Sequence, residues 1–215
     1  MQKLKMLLVF ALMFVVSGCA THAKIDMPVI SKVNKADWHG KEFRYEIYYS
    51  QPQPGIISGG QQQDLKPLSE AELSVGSAQV LGNLPQILAD QLPLNAVVTD
   101  SEGADYQLRI EMVAHHKLGP TYPDYEFAKS FVKNLLTIGM AADEYNIIAD
   151  FDITYFLKAK DGKEFQKHFV VKDSVDHERG STEFKNNTFD YSAVLLRKYI
   201  ITTSSEFLLE ASNKI

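Results

Sequence analysis

Two groups of histidine and acidic residues are the first places in this sequence to look for metal or acid–base chemistry. His115 and His116 are adjacent, at the end of an alternating run that predicts a strand from Asp105 to His116. Adjacent residues of a strand face opposite sides of a sheet, so one metal ion is not expected to bind both imidazoles. We expect one exposed and one half-buried imidazole here.

The second group combines Asp173, Asp176, His177 and Glu178, next to Arg179. Carboxylates and imidazoles bind metals and transfer protons, but these four residues need a second cluster to complete a site. The preferred interpretation is therefore a charged loop in solvent. The alternative is a hydrolase that uses these loop carboxylates.

The common catalytic motifs are missing from the sequence. There is no G-x-S-x-G elbow, no H-E-x-x-H pair and no glycine-rich phosphate-binding loop. Cys19 is the only cysteine. The sequence therefore predicts no catalytic residues, no metal ligands and no cofactor.

Cys19 stands at the end of a segment that is typical of secretory signal peptides. Two lysines precede the apolar run Met6 to Val16, and two small residues precede the cysteine. The run is shorter than the roughly 20 apolar residues that cross a bilayer, which argues against a spanning anchor. Val16-Ser17-Gly18-Cys19 resembles the lipobox of bacterial lipoproteins. The resemblance implies cleavage before Cys19 and attachment to the membrane through acyl chains such as palmitate on that residue.

The same resemblance bears on location. In enterobacterial lipoproteins an aspartate after the acylated cysteine marks retention in the inner membrane, and this chain has Ala20 there. The expected location is the periplasmic face of the outer membrane. Without residues 1–18 the charge is 20 minus 27, or −7, so nucleic acid is not an expected partner.

The rest of the chain divides into two parts. Residues 19–40 lack a sustained hydrophobic period, so we predict a lipidated cysteine and a flexible tether after the 1–18 signal peptide. Residues 41–215 are expected to form a single periplasmic domain, because their length and apolar content suffice for one core.

Hydrophobic periodicity predicts the elements of this domain. They are a strand at Phe43–Ser50, a helix centred on 77–92, a short strand at 95–99 and the strand at 105–116. Pro85 is expected to kink this helix unless the helix starts near Asn83, with the proline in its first turn. A hairpin of 146–158 and 163–175 that turns at Asp161-Gly162 follows, and then a helix at 191–212 capped by Asp190. A bulge is expected near 149–151, a long loop at 51–67 and turns at 118–125.

This order predicts an α+β fold, with an antiparallel sheet of four to five strands and two helices packed on one face. The order loosely resembles small envelope lipoproteins of Gram-negative bacteria, including accessory lipoproteins of transport and assembly systems. That resemblance implies a protein partner in the envelope.

An extra amphipathic segment covers residues 127–140. Its apolar stripe, with lysines beside it, predicts either a core helix or a surface that docks onto the membrane or a partner protein. The candidate docking residues are Phe127, Phe131, Leu135 and Ile138. The function expected from the sequence is a non-enzymatic binding or accessory subunit. One alternative is a hydrolase of envelope polymers that uses the carboxylates of the 173–178 group. The other is a lipid or small-molecule carrier, which needs an apolar cavity.

Overall fold

The structure is a computed structural model that describes residues 22–53, 60–127, 130, 143–179 and 185–215. Within these residues the chain forms seven strands and three α-helices. The strands are β1 (Glu42–Ser50), β2 (Lys66–Pro67), β3 (Val97–Thr99), β4 (Tyr106–Ala114), β5 (Thr121–Tyr125), β6 (Asp143–Ala159) and β7 (Glu164–Arg179). The helices are α1 (Val75–Gly82), α2 (Leu84–Gln91) and α3 (Lys185–Lys214).

Strand β6 is the centre of the sheet, because its long alternating sequence pairs along both edges. Every second residue from Ile147 to Ala159 is buried. β5 pairs with the first half of β6 and β4 with the second half, along the same edge, while β7 pairs along the other edge. All three pairings are antiparallel.

Strand β1 extends the sheet beyond β4 and changes its character. It runs parallel to β4 and to β3, and antiparallel to the short β2. The α+β class is therefore confirmed, but the prediction of an antiparallel sheet with four to five strands is wrong, because the sheet is mixed and seven-stranded. The connection from β1 to β4 contains α1 and α2. This long crossover allows β4 to pair with β1 in the parallel direction.

Proline divides the first helical region as the sequence allowed. Ser74 caps α1 by accepting a hydrogen bond from the Ser77 amide at 3.3 Å, and α1 ends at Gly82. Pro85 then lies in the first turn of α2, where a missing amide hydrogen costs no helical hydrogen bond. The result is two consecutive helices.

Helix α3 covers the inner face of the sheet. Its Phe207 ring stacks on Tyr155 of β6 and on Phe165 of β7, with ring centroids 5.1 and 5.5 Å apart. Gln91 of α2, fully buried, donates to the Ser204 hydroxyl of α3 at 2.9 Å. The core is therefore a layer between this face and the three helices.

Four local predictions need correction. Residues 121–125, expected to be turns, form β5, where Pro123 is accommodated in a strand that pairs with β6 alone. The β6–β7 register is continuous through Ala149 to Phe151, so no bulge is present there. The charged residues 173–178 belong to β7 rather than to a loop, and Asp190 lies inside α3 rather than at its cap.

The segment predicted as a tether is packed against the domain over its described part, residues 22–40. Ala23, Ile25 and Ile30 pack on the core, and Val33 and Trp38 are buried in it. Trp38 makes edge contacts with Phe43 and Tyr106 at 5.3 and 5.7 Å. We call residues 22–38 the strap. The apolar residues of the strap are few and irregularly spaced, so they show neither the period of a strand nor that of a helix. For this reason the sequence suggested a tether.

Candidate functional site

An apolar groove lies at the surface where α1, β5 and the beginning of α3 meet. Its volume is about 440 Å³. Most of its lining is hydrocarbon, contributed by Val75, Leu118, Tyr122, Pro123, Phe189 and Ala193. Grooves of this size and composition are typical of binding sites.

Two close contacts fix the walls of the groove to each other. Gly76 of α1 lies so near α3 that a Cβ atom at this position would be 3.4 Å from the Ala193 Cβ. Thr121 of β5 is buried and donates its hydroxyl to the Ser192 carbonyl oxygen of α3 at 2.8 Å. The groove is therefore formed by three elements in direct contact.

Side chains that are normally buried are exposed along this groove. Val75 is 88% exposed, Phe189 52% and Leu118 45%. Single exposed apolar residues are common, but neighbouring ones that share a concave surface mark an interaction site. The groove is therefore the strongest candidate for a binding surface.

Polar groups in the groove are few and are suited to hydrogen bonding rather than to catalysis. The Ser74 and Ser77 hydroxyls hydrogen-bond to each other at 2.9 Å. Burial raises the pKa of the Tyr122 phenol, so this group is neutral at physiological pH. Asp190 is the one carboxylate, and no histidine, lysine or cysteine occurs among the described lining residues. The lining is therefore suited to apolar contact supplemented by a few hydrogen bonds.

Of the predicted docking residues, Phe127 is described by the structure. It is 68% exposed, and its ring lies 6.4 Å from that of Tyr125. Phe131, Leu135 and Ile138 lie outside the described residues, as does the predicted lipid attachment site Cys19. Their roles stay predictions.

The two adjacent histidines have different surroundings. His115 is exposed, and its Nδ1 lies 2.8 Å from Asp150 Oδ1. His116 is half-buried and stacks on Tyr122 with ring centroids 3.8 Å apart. Burial lowers the pKa of His116. The imidazoles thus contact separate parts of the surface.

A chain of polar contacts continues from His115 across the outer face of the sheet. Asp152 Oδ2 is 3.6 Å from His115 Nε2 and 3.8 Å from His168 Nε2. In the strand register His115 lies beside Asp150 and His168 beside Thr154, so the two rings approach Asp152 from opposite directions. Across the described part of the chain, no three histidine, cysteine or acidic side chains are arranged to hold a metal ion.

The acidic group 173–178 is dispersed by its strand. Asp173 faces α3, where it accepts a hydrogen bond from the Tyr199 hydroxyl. Asp176 is exposed, and with Glu126 and Glu144 it lines a depression of about 120 Å³. Since Asp173 and Asp176 lie on opposite faces of β7, they do not form one catalytic pair. The loop that the hydrolase alternative requires is absent at 173–178.

The sequence did not reveal the groove, because its lining comes from three distant segments. Val75, Leu118 and Phe189 are each isolated apolar residues in polar or turn-rich surroundings. Only the fold brings the three together.

Comparisons with known proteins do not place the chain in a family. No family model and no curated protein matches it. It is similar to a solved protein of Xanthomonas campestris described with the family model DUF330, at a TM-score of 0.37 and 10% identity over 89% of this chain and 96% of that one. It is also similar to a putative neuraminyllactose-binding hemagglutinin homolog from Helicobacter pylori, with a TM-score of 0.42 and 11% identity over 90% and 97% of the two chains. A third similar structure is a minor lipoprotein from Acinetobacter baumannii, with a TM-score of 0.35 and 10% identity over 80% and 94%.

A separate observation concerns the membrane. Among the helices within the described residues, none combines the length and the apolar character needed to cross a bilayer.

Proposed function

We propose that this chain is a lipid-anchored protein of the bacterial cell envelope and acts as a non-enzymatic binding or accessory subunit. Its domain holds an apolar segment of a partner protein in the groove between α1, β5 and α3. The observation that carries this proposal is the groove itself, whose exposed Val75, Leu118 and Phe189 are supported by fixed walls. The predominantly apolar lining favours binding over catalysis.

The shape of the groove favours a protein segment over an enclosed lipid. A carrier surrounds most of its apolar ligand to keep it from water. Here Val75 is 88% exposed, so a ligand lying on it keeps one side in solvent. An amphipathic helix fits this arrangement, because it buries one apolar face and leaves the other wet.

The anchoring part of the proposal depends on the lipobox resemblance at Cys19. With acyl chains on this residue the domain stays on the membrane, and the absence of aspartate at position 20 supports the outer membrane. A Cys19→Ser variant tests this. It is expected to accumulate as unprocessed precursor without label from radioactive palmitate. A processed variant that remains in the membrane fraction contradicts lipid anchoring.

Site-specific crosslinking in intact cells tests the groove. A photoreactive amino acid at Val75 or Leu118, with a C-terminal tag for purification, is expected to capture one reproducible envelope protein. Val29 is the matched control for Val75, because it is also a valine with 88% exposure but lies on the strap, away from the groove. The same substitution there is expected to capture nothing above background.

Two outcomes contradict the groove as a protein-binding site. One is crosslinking of equal intensity from Val75 and Val29, which indicates nonspecific contact. The other is capture of phospholipid alone from Val75, which favours the carrier alternative. In a direct binding assay with the captured partner, Val75→Glu combined with Leu118→Glu is expected to weaken affinity by about tenfold or more, since each buried apolar side chain contributes about 1.5–3 kcal/mol.

A further inference from the structure

The strap reaches one particular end of the sheet at its first described residues. The Ala23 amide donates to Nδ1 of His177 at 3.1 Å, and the His22 ring stacks on the His177 ring with centroids 5.8 Å apart. His177 is buried near the end of β7. The chain is therefore attached to the domain within four residues of Cys19.

The same end of the sheet carries a row of aromatic residues. Tyr125, Tyr145 and His177 are direct neighbours across β5, β6 and β7. Phe127 follows β5, with its ring 6.4 Å from that of Tyr125. We call Tyr125, Phe127, Tyr145 and His177 the aromatic end. Two of its members are exposed, Tyr125 at 42% and Phe127 at 68%.

The opposite end of the sheet is the turn between β6 and β7, which we call the charged end. β6 and β7 turn there through Lys160, Asp161 and Lys163, all of which are exposed. Tyr145 and Ala159 are fourteen residue steps apart along β6, which corresponds to about 46 Å at the rise of a strand. The strap runs this whole length, since Trp38 packs on Phe43 and Tyr106 beside the charged end.

We propose that the aromatic end is the surface that lies against the lipid bilayer when Cys19 is acylated. This inference rests on the lipid anchor of the proposed function. Three residue steps separate Cys19 from His22, and a chain extends at most about 3.6 Å per residue, so the attachment point is within about 11 Å of His22. An anchor this short holds the end of the sheet that carries His177 at the membrane surface.

The chemistry of the aromatic end suits the interface of a bilayer. Exposed tyrosine and phenylalanine side chains partition to the boundary between head groups and acyl chains, because their rings are apolar and the tyrosine hydroxyl stays in contact with water. Arg179 lies at the same end, 5.6 Å above the Tyr145 ring and paired with Asp143, and Glu126, Glu144 and Asp176 line a depression beside it. The charge at this end is mainly negative, so contact with the bilayer depends on the exposed rings and the short anchor rather than on attraction to anionic lipid. In this orientation the charged end points away from the membrane. The apolar groove opens close to the membrane surface, because β5 contributes residues both to the groove and to the aromatic end.

Fluorescence depth measurements on the full-length, acylated protein test this orientation. Its only native cysteine is blocked by the acyl chains, so one introduced cysteine labels at a single position. Phe127→Cys and Asp161→Cys are labelled with an environment-sensitive nitrobenzoxadiazole dye. The protein is reconstituted into vesicles of equal parts phosphatidylethanolamine and phosphatidylglycerol, and spin-labelled lipid serves as the quencher. We expect blue-shifted, quenchable emission at position 127 and solvent-like, unquenched emission at position 161.

The outcomes separate the orientation from the anchor. Flotation of the protein with the vesicles is measured first. Residues 20–215, produced without the signal peptide and the acyl chains, are the unanchored control, and loss of flotation only in that control supports the anchor. If the acylated protein floats but both dyes report solvent, the domain stands away from the bilayer and the orientation is wrong. Quenching at position 161 instead of 127 also overturns it, because the domain then lies the other way up.

Discussion

His116 is the residue whose chemistry gives the domain a dependence on pH. Its ring is half-buried on Tyr122, and its Nδ1 accepts a hydrogen bond from the Leu118 amide at 3.2 Å, which requires an unprotonated nitrogen. Burial lowers the pKa of His116 in the folded state. The unfolded chain therefore binds this proton more readily than the folded one, and the contribution of His116 to stability is lost as the pH falls below about 6.5.

Urea unfolding at about pH 7.5 and about pH 5.5 measures this effect. The free energy of unfolding of the wild type is expected to fall between the two values by more than that of His116→Phe, which keeps a stacked ring but does not titrate. His39→Phe is the control for the substitution itself, because it makes the same exchange at an exposed position. An equal fall in the wild type and in His116→Phe contradicts the assignment.

The β6–β7 hairpin shows at the level of elements what the sequence specifies well. The alternating runs and the Asp161-Gly162 pair predicted both strands and the turn, because strand alternation and turn chemistry are local properties. Gly162 has φ +90°, a conformation that residues with a Cβ atom rarely adopt. No atom lies within 4 Å of a Cβ built there, so only the backbone conformation requires glycine.

Replacing this glycine isolates that backbone requirement. Gly162→Ala is expected to lower the free energy of unfolding by about 1–2 kcal/mol, the cost of a left-handed conformation. Gly82→Ala at the end of α1 is the matched control. Its added methyl group also meets open space, but its φ lies outside the left-handed region, so we expect no loss of stability or a gain of up to about 1 kcal/mol. Thermal or urea unfolding compares the two, and equal losses contradict this explanation.

Strand direction was beyond the reach of local patterns. β1 and β4 each have the predicted alternation, but nothing in either run distinguishes a parallel from an antiparallel pairing. β5 was missed for a related reason, since its proline and aspartate suggest a turn, and only pairing with the longer β6 makes it a strand. Part of the groove is formed by β5. Because the sequence did not predict this strand, it could not predict the candidate site either.

At the scale of the whole molecule, the strap contacts both ends of the domain. If it behaved as the flexible tether that its composition suggested, the domain would sample many orientations. Instead Ala23 is hydrogen-bonded at His177, the Val33 amide donates to the Gln91 carbonyl oxygen at 2.8 Å, and Trp38 is fully buried. These contacts, spread along its length, fix the strap to the domain, which the proposed orientation on the bilayer requires.

Limited trypsin digestion of the acylated protein distinguishes a strap from a tether. Lys24 is exposed, but its backbone is next to the Ala23–His177 contact, so cleavage after Lys24 is expected to be slow in the wild type. His177→Phe keeps a buried ring and removes the acceptor for the Ala23 amide. Since such a hydrogen bond contributes about 0.5–1.5 kcal/mol, cleavage after Lys24 is expected to accelerate about 2- to 10-fold. Cleavage after Lys160 and Lys163, at the far end of the sheet, is the internal control and should not change. Rapid cleavage after Lys24 in the wild type would show that the N-terminal segment moves freely. The proposed orientation on the bilayer would then be wrong, because it requires the strap to be held at His177.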